Sequence, residues 1–455
     1  MTHLVNRLVF DLHCVEEEQA FDLRRQVSSM VLQEQVRETI DRVCAPYAGE
    51  ETWINIERLE VDLGVLNAGF VSTSFAAAFL HELEKALSRK LLDVASSPSP
   101  HSRRHSNMEL LQYILQHGVL PWWGTAHEPD LNSICREVIR YHPEGFTRFL
   151  LQERNRQVLW QRISRQLDAE NGGQIIGLLP VLSDAAAYLQ LWVHEIYANE
   201  FPGQLPDVAT TRPIVQKMVL ENATRLLQNP GAVATPGVTA GKGADLPAEA
   251  EISRLKLLLF LGDEHAAVAV PGEMDMPVVH TTGNGTGESP EKFFIKTGGI
   301  VLLAPYFKSF FTELGLLNGN EWINKAAAYR AVHLLKFLST GLQNQPEYSL
   351  VLEKICCSLS PAEPMPMEVP LTEKEMHEAG LLLTAVIAHW SALKNTSVNG
   401  LRESFLKREA ILTRSDDGWL LQVERKTLDI LLDSIPWGYN HVRLPWNDCI
   451  IMVEW

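Results

Sequence analysis

Residues 428–455, LDILLDSIPWGYNHVRLPWNDCIIMVEW, indicate how the C-terminal part of the chain folds. Chain ends are usually the least ordered part of a domain, yet this segment carries Trp437, Trp446 and Trp455. Residues 449–453 are a continuous apolar run, and the stretch 449–455 has the two-residue period of a strand. We therefore expect the chain to end in a strand of a small C-terminal sheet, with Trp455 as its last anchor.

The sequence just before this segment predicts a β-hairpin. Ile411–Thr413 and Trp419–Val423 flank Ser415–Gly418, whose Asp-Gly pair is typical of a tight hairpin turn. Leu428–Leu432 and His441–Leu444 are predicted as further strands of the same sheet.

The N-terminal region predicts a small α/β module. Leu4–Leu12 has apolar residues on one face of a strand, and an amphipathic helix follows from Glu16 to Val43. Residues 53–64 predict a second strand with a bulge near Arg58, and a second helix covers Ser74–Leu92. The order β-α-β-α predicts a right-handed crossover.

The middle of the chain predicts many short helices with frequent Gly, Pro and Asn stops, a pattern that suits stacked helical hairpins. Helices are predicted again at Gly299 to about Leu342, at Tyr348–Ser358 and at Thr372–Leu393. The predicted fold class is α+β and mostly α-helical, with a central helical-hairpin region between the two terminal modules. The predicted boundaries are 1–95 (N-terminal module), 96–107 (linker), 108–228 (helical), 229–250 (Pro/Gly/Ala linker), 251–397 (helical, with a flexible insert at 271–291) and 398–455 (β-rich module).

Composition and charge narrow the possible partners. The 455-residue chain is 46% hydrophobic and 21% charged, which is typical of a globular protein. Its formal charge of −16 disfavours binding to nucleic acid. Its longest apolar stretch, 379–390, is too short to span a bilayer, and the N-terminus does not resemble a signal peptide. We therefore expect a cytoplasmic protein, without membrane insertion, whose six cysteines are reduced.

Metal and phosphate motifs each fail at a specific residue. A zinc-binding HExxH motif would need histidine where Lys85 and Ala198 stand. His101 and His105 have the spacing of a metal pair but lie in the Ser/Pro-rich segment that we expect to be a linker. Residues 237–243, GVTAGKG, lack the spacing and the Ser or Thr of a P-loop.

Acid–base and thiol chemistry are equally unsupported. Asp429 and Asp433 alternate with apolar residues, so a solvated face explains them better than a catalytic pair. No cysteine lies in a recognisable context for an activated thiolate. We expect a protein that is not an enzyme and has no cofactor.

Proline followed by tryptophan recurs three times after an apolar residue. Proline stiffens the backbone, and a tryptophan next to it buries a large area while keeping its N–H for a partner. These positions are either structural anchors at sheet corners or anchors for docking another protein, and the sequence leaves both open. The candidates are Pro121, Trp122, Trp123, Pro436, Trp437, Pro445, Trp446 and Trp455.

Several stretches, taken in order, resemble one family. They are IERLEVDLG (56–64), GVLPWW (118–123), GGIVLLAPYFKSFFTELGLL (298–317), RAVHLLKFLSTG (330–341), LTEKEMHEAGLLLTAVIAHWSALK (371–394), LRESFLKREAIL (401–412) and the segment from Trp419 to the end. They resemble the contractile injection system tape measure protein family, found with phage-tail-like particles of bacteria. Two local departures are Ala410, where the family tends to have glycine, and the divergent stretch 352–360.

The resemblance implies a role in setting the length of the particle's inner tube during assembly, with tube, baseplate or cap proteins as partners. The many helix breakers and the strands predicted at both ends favour a folded protein with anchored ends. An alternative is therefore a folded assembly factor or chaperone that docks on baseplate or tube proteins without acting as a ruler.

Overall fold

The computed structural model describes most of the chain from Glu34 onwards. The described residues are 34–45, 56, 59–62, 71–95, 103–121, 124, 129–200, 208–228, 292–393, 395–415 and 418–455. The chain forms two compact units, the first made of 1–113 and 121–146 and the second of 114–120 and 147–455. The predicted linker 229–250 and the predicted insert 271–291 lie outside the described residues, as does the predicted strand Leu4–Leu12.

The described part before residue 229 is mainly helical. Its helices are α1 (Glu34–Cys44), α2 (Val71–Ala95), α3 (Arg103–His117), α4 (Leu131–Tyr141), α5 (Pro143–Gln152), α6 (Gln157–Gln166), α7 (Ala169–Leu178), α8 (Pro180–Glu200), α9 (Val208–Glu221) and α10 (Ala223–Gln228). Asp130 and Asp168 cap α4 and α7 by accepting backbone N–H groups of the first turn. Helix α3 starts at Arg103, so the predicted linker 96–107 is wrong over its last residues. The buried apolar face at Leu111, Ile114 and Leu115 stabilises a helix whose first residues lie in the last part of the Ser/Pro-rich segment.

In the first unit, α1 packs on α2. Val43, Leu87 and Leu91 form a buried cluster with partly buried apolar neighbours that include Ile56 and Leu59. Residues 56 and 59–62 have no regular secondary structure, which differs from the strand predicted at 53–64. A strand needs a hydrogen-bonded neighbour, and its predicted neighbour and Arg58 both lie outside the described residues.

Helices α6 to α10 form a stack, with helix lengths from 6 residues in α10 to 21 residues in α8. Helix α9 packs against α6, α7 and α8. The shared core is made of fully or nearly fully buried aliphatic and aromatic side chains, namely Leu159, Trp160, Ile163, Ile175, Leu182, Val215, Val219 and Ala223. We call residues 157–228 the helical stack.

The region from 298 to 406 is also mainly helical. It contains a 3₁₀ helix (Gly298–Leu303), α11 (Ala304–Glu313), α12 (Lys325–Thr340), a 3₁₀ turn (Glu347–Ser349), α13 (Val351–Cys356), α14 (Glu373–His389), a 3₁₀ turn (Ser391–Leu393), α15 (Val398–Leu401) and a π-helical turn (Arg402–Leu406). Between the helices predicted at 299 to about 342 lies a short hairpin of β2 (Leu317–Asn318) and β3 (Glu321–Trp322), which was not predicted. Its turn places Gly319 at φ +66°, a conformation that glycine adopts without strain.

The predicted C-terminal sheet is present. It consists of β1 (Lys292–Ile295), β4 (Ala410–Ser415), β5 (Gly418–Val423), β6 (His441–Val442) and β7 (Ile450–Glu454), in the order β1-β4-β5-β7-β6. The predicted hairpin is β4–β5, which is antiparallel with Leu412 opposite Leu421. Strand β7 is parallel to β5, with Leu421 opposite Val453, and so the last strand lies inside the sheet. We call residues 292–455 the C-terminal body.

The strand predicted at 428–432 is wrong. Thr427–Ser434 is a 3₁₀ helix instead, and the Lys426 N–H donates to the Asp429 carboxylate at its start. Leu432 is buried, whereas Leu428 and Ile430 are exposed. A single buried side chain gives this segment no apolar face to add to the sheet.

Candidate functional site

Trp437 anchors the segment after the 3₁₀ helix to the start of the C-terminal body. Its indole N–H donates to the Leu302 carbonyl oxygen at 2.9 Å. The edge of Tyr306 meets the ring, with the centroids 5.3 Å apart, and the Tyr306 hydroxyl lies 2.9 Å from Nδ1 of His389. The preceding Pro436 is exposed.

Trp446 closes the end of α13. The last carbonyl groups of a helix have no partner within it. The amide nitrogen of Asn447 donates to Ile355 O at 2.6 Å, and the Trp446 indole N–H donates to Cys356 O at 2.8 Å. Trp322 from the β2–β3 hairpin donates to the next carbonyl in the chain at 3.1 Å. Two indoles and one amide therefore satisfy the end of one short helix.

The aromatic rings around Trp446 pack on one another. Trp446, Trp322 and Phe311 lie with ring centroids 5.1 to 5.7 Å apart at steep angles, the arrangement that aromatic rings favour. Pro445 is exposed. This cluster attaches the final loop of the chain to α11 and α13.

Trp455 is held through Asp429. Its indole N–H donates to Asp429 Oδ2 at 3.0 Å, and the same carboxylate pairs with Arg408. Arg408 is fully buried, and its guanidinium lies over the rings of Phe405 and Trp455 at 5.7 and 5.9 Å. The prediction that Asp429 is part of a solvated face is therefore wrong, whereas Asp433 is exposed as predicted.

The remaining predicted anchors lie near the end of α3. Pro121 is buried, and Trp122 and Trp123 lie outside the described residues. Trp437, Trp446 and Trp455 each donate their indole N–H within the chain while their rings stay partly exposed. Their structural contacts are visible, and their docking of another protein stays a prediction.

A buried ionic cluster, absent from the sequence-based predictions, lies in the second unit. Glu347 receives both Arg162 Nε, at 3.0 and 3.1 Å, and Lys354 Nζ at 3.0 Å. All three side chains are at most 1% exposed. Arg162 and Gln166 share the buried face of α6 with Leu159. The sequence signal for this cluster was therefore the presence of polar residues at the helical spacing of the apolar face.

A second buried ion pair lies in the C-terminal body. Lys336 Nζ is 3.5 Å from Glu353 Oε1 and donates to Ser349 O at 2.6 Å. The Thr297 hydroxyl donates to the same carboxylate oxygen at 2.7 Å. Buried charges of this kind persist only when paired and hydrogen-bonded, so these residues fix the packing of α12, α13 and the start of the 3₁₀ helix.

Comparison with known proteins assigns the chain to a family. The profile described as contractile injection system tape measure protein matches residues 2–455. The chain belongs to this family. No match was found among curated proteins or among solved structures.

The resemblance seen in the separate sequence stretches is thus confirmed along nearly the whole tape measure chain. Members of a tape measure family act in building a particle rather than in converting a substrate. The association implied by the family is with tube and other particle proteins.

The two adjacent cysteines of this tape measure protein are fully buried. Burial raises the pKa of the Cys356 and Cys357 thiols, so neither is poised as a thiolate. Within the described ranges, no group of three or more His, Cys, Asp or Glu side chains is placed to hold a metal ion. None of the described helices is both long and apolar enough to cross a bilayer.

Proposed function

We propose that this protein sets the length of the inner tube of a contractile injection particle as the particle assembles in the cytoplasm, and that it does so without catalysis. The single observation that carries the proposal is the family match over residues 2–455. Its partners in this role are the tube, baseplate or cap proteins of the particle.

We further propose that the C-terminal body is the anchored end of the ruler. Trp437, Trp446 and Trp455 hold its last segments in place from within. Their partly exposed rings, next to the exposed Pro436 and Pro445, are suited to a protein partner, since tryptophan is a favoured interface anchor. On this proposal the docking surface and the structural anchors are the same residues.

The ruler itself has to be extended. A chain of 455 residues in one helix would span roughly 680 Å at about 1.5 Å per residue. The C-terminal body is folded back on itself through its sheet, so the length-setting part lies before residue 292. The sequence of 229–250, without hydrophobic periodicity, is the most suitable place to change its length.

The folded character of the helical stack and of the C-terminal body favours a second candidate. Both belong to one compact unit, which contains a mixed sheet and the buried ion pairs described above. A folded assembly factor that docks on baseplate or tube proteins needs such a body and no extended segment. The two candidates differ in whether tube length depends on the length of this chain.

An insertion series separates these candidates. Unstructured inserts of increasing length are placed within 229–250, and tube lengths are measured on electron micrographs of assembled particles. A ruler predicts tubes that lengthen in proportion, by about 1.5 Å per inserted residue if helical and by up to about 3.3–3.6 Å if extended. Tube lengths that stay constant across the series would contradict the ruler and favour the assembly factor.

The matched control places the same inserts at Gly319–Asn320. This turn of the β2–β3 hairpin is exposed and lies within the C-terminal body. The ruler proposal predicts normal tube length there, because inserts in a surface turn do not extend the body. Lengthening from this site would show that the C-terminal body is not a fixed anchor.

A further inference from the structure

Residues 361–367, PAEPMPM, form an irregular segment that we call the strap. Its three prolines have no backbone N–H, so the strap offers mainly carbonyl oxygens. Five of these carbonyls accept a hydrogen bond from a side chain, and four of the donors are cationic residues or a histidine. The pairs are Lys354 to Pro361, Arg162 to Ala362, Arg165 to Pro364, Gln166 to Met365 and His333 to Pro366.

One face of α6 follows the strap. Arg162, Arg165 and Gln166 are three and four residues apart and so lie on the same side of the helix. Their hydrogen bonds to strap carbonyls measure 2.7, 3.0 and 2.7 Å. In return, the Met367 N–H donates to the Arg165 carbonyl oxygen at 3.2 Å. The strap is thus bound to α6 along its length.

The same face of α6 also holds Glu347. Besides the Arg162–Glu347 ion pair, the Glu347 N–H donates to the Gln166 side-chain oxygen at 2.9 Å. Lys354 then joins Glu347 to the first strap residue. The joint between the helical stack and the C-terminal body therefore contains a buried cluster of three charges and a row of bonded carbonyls.

Separating a joint of paired charges has a different free-energy cost from separating an apolar joint. Apolar surface that separates becomes exposed to water, and the cost grows with its area. Buried charges regain their hydration when they separate, and this offsets much of what their pairing contributed. The second unit therefore opens at the lowest free-energy cost at this polar joint, which lies between two parts with apolar cores.

We propose that the strap and the Arg162–Glu347–Lys354 cluster are a latch that holds the helical stack on the C-terminal body and that can open while both remain folded. The latch is independent of the length-setting role proposed above. It gives the protein a closed form and an open form in which the helical stack moves away from the C-terminal body.

Native-state hydrogen exchange of the full chain tests the latch through two reporter amides. The N–H groups of Glu347 and Met367 donate across the joint to Gln166 and Arg165. Arg162→Met removes the cation and keeps most of the side-chain volume, leaving the neutral Glu347–Lys354 pair. We expect both reporter amides to exchange at least tenfold faster, while amides of β4, β5 and β7 change less than twofold.

Two further variants keep the test decisive. Arg165→Met removes one strap bond, made by a partly exposed side chain. In this variant both reporter amides should exchange faster, though by a smaller factor than in Arg162→Met. It therefore tests the latch even if Arg162→Met does not fold. Arg402→Met is the matched control, because Arg402 also donates to carbonyls, those of Leu338 and Phe337 within the C-terminal body. It should leave the reporters unchanged. Sheet amides that accelerate together with the reporters, or reporters that do not accelerate, would overturn the latch.

Discussion

Replacing Ile451 in the last strand by alanine tests whether the end of the chain is structural. Ile451 is 1% exposed, whereas its neighbour Met452 is 46% exposed on the other face of β7. Truncating a buried isoleucine to alanine costs about 2–5 kcal/mol, because the transfer free energy is lost and a cavity remains. The same change at a surface position is usually within about 0.5 kcal/mol. Ile451→Ala should therefore destabilise the second unit far more than Met452→Ala.

The assay is thermal unfolding of the full chain, followed by circular dichroism. The second unit has about 300 residues, so at about 2.1 cal/mol/K of unfolding entropy per residue each kcal/mol lowers the midpoint by about 1.5 °C. We therefore expect a shift of roughly 3–8 °C for Ile451→Ala and about 1 °C or less for Met452→Ala. Deletion of Asn447–Trp455 removes the whole strand and should abolish cooperative unfolding of this unit. Equal shifts for the two point variants, or a truncated chain with an unchanged midpoint, would refute the assignment of a buried terminal strand.

Three further predictions concern single side chains. Gly418→Ala should destabilise the sheet by at least about 2 kcal/mol in urea unfolding, because φ is +144° and a Cβ would lie 2.2 Å from Ile450 O; a variant as stable as the natural chain would contradict this. Burial lowers the pKa of His333 from 6.5 to about 4. As the pH falls, the unfolded chain therefore binds a proton at this histidine before the folded chain does, and the free energy of unfolding should fall by about 2 kcal/mol between about pH 7 and pH 5. His333→Gln keeps an N–H donor but cannot titrate, so this variant should lose that part of the pH dependence of stability. An unchanged pH dependence would contradict this prediction. Cys356 and Cys357 should react with a thiol reagent only on unfolding, since burial raises the pKa of both thiols, whereas rapid labelling of the native protein would contradict the packing.

The sequence was sufficient where structure depends on local pattern. The β4–β5 hairpin was predicted from alternating residues and an Asp-Gly pair. The helix predicted from Thr372 is α14, whose first turn Thr372 caps together with Glu375. In each case the deciding residues lie within a few positions of one another.

Other elements depend on partners far away in the sequence. Strand β1 was missed because its pairing, Phe293 with Leu412, joins segments more than a hundred residues apart. Arg162 and Glu347 are 185 residues apart, so the sequence could mark Arg162 as out of place on a buried face but could not name its partner. The β2–β3 hairpin had a local signal in Asn318-Gly319, which the surrounding helical pattern outweighed.

The sheet of the C-terminal body limits how this part of the chain can contribute to a ruler. Strand β1 begins at residue 292 and β7 ends at residue 454, and only β4 and β5 separate them. Strands are spaced by about 4.8 Å, so β1 and β7 lie only about 14 Å apart across the sheet. The 164 residues of the C-terminal body would span about 250 Å as one helix. A ruler that kept this sheet would gain almost no length from over a third of its residues. Its length would have to come from the chain before residue 292. Proportional lengthening from inserts at 229–250, together with none from inserts at Gly319–Asn320, is therefore the pattern that an anchored ruler requires.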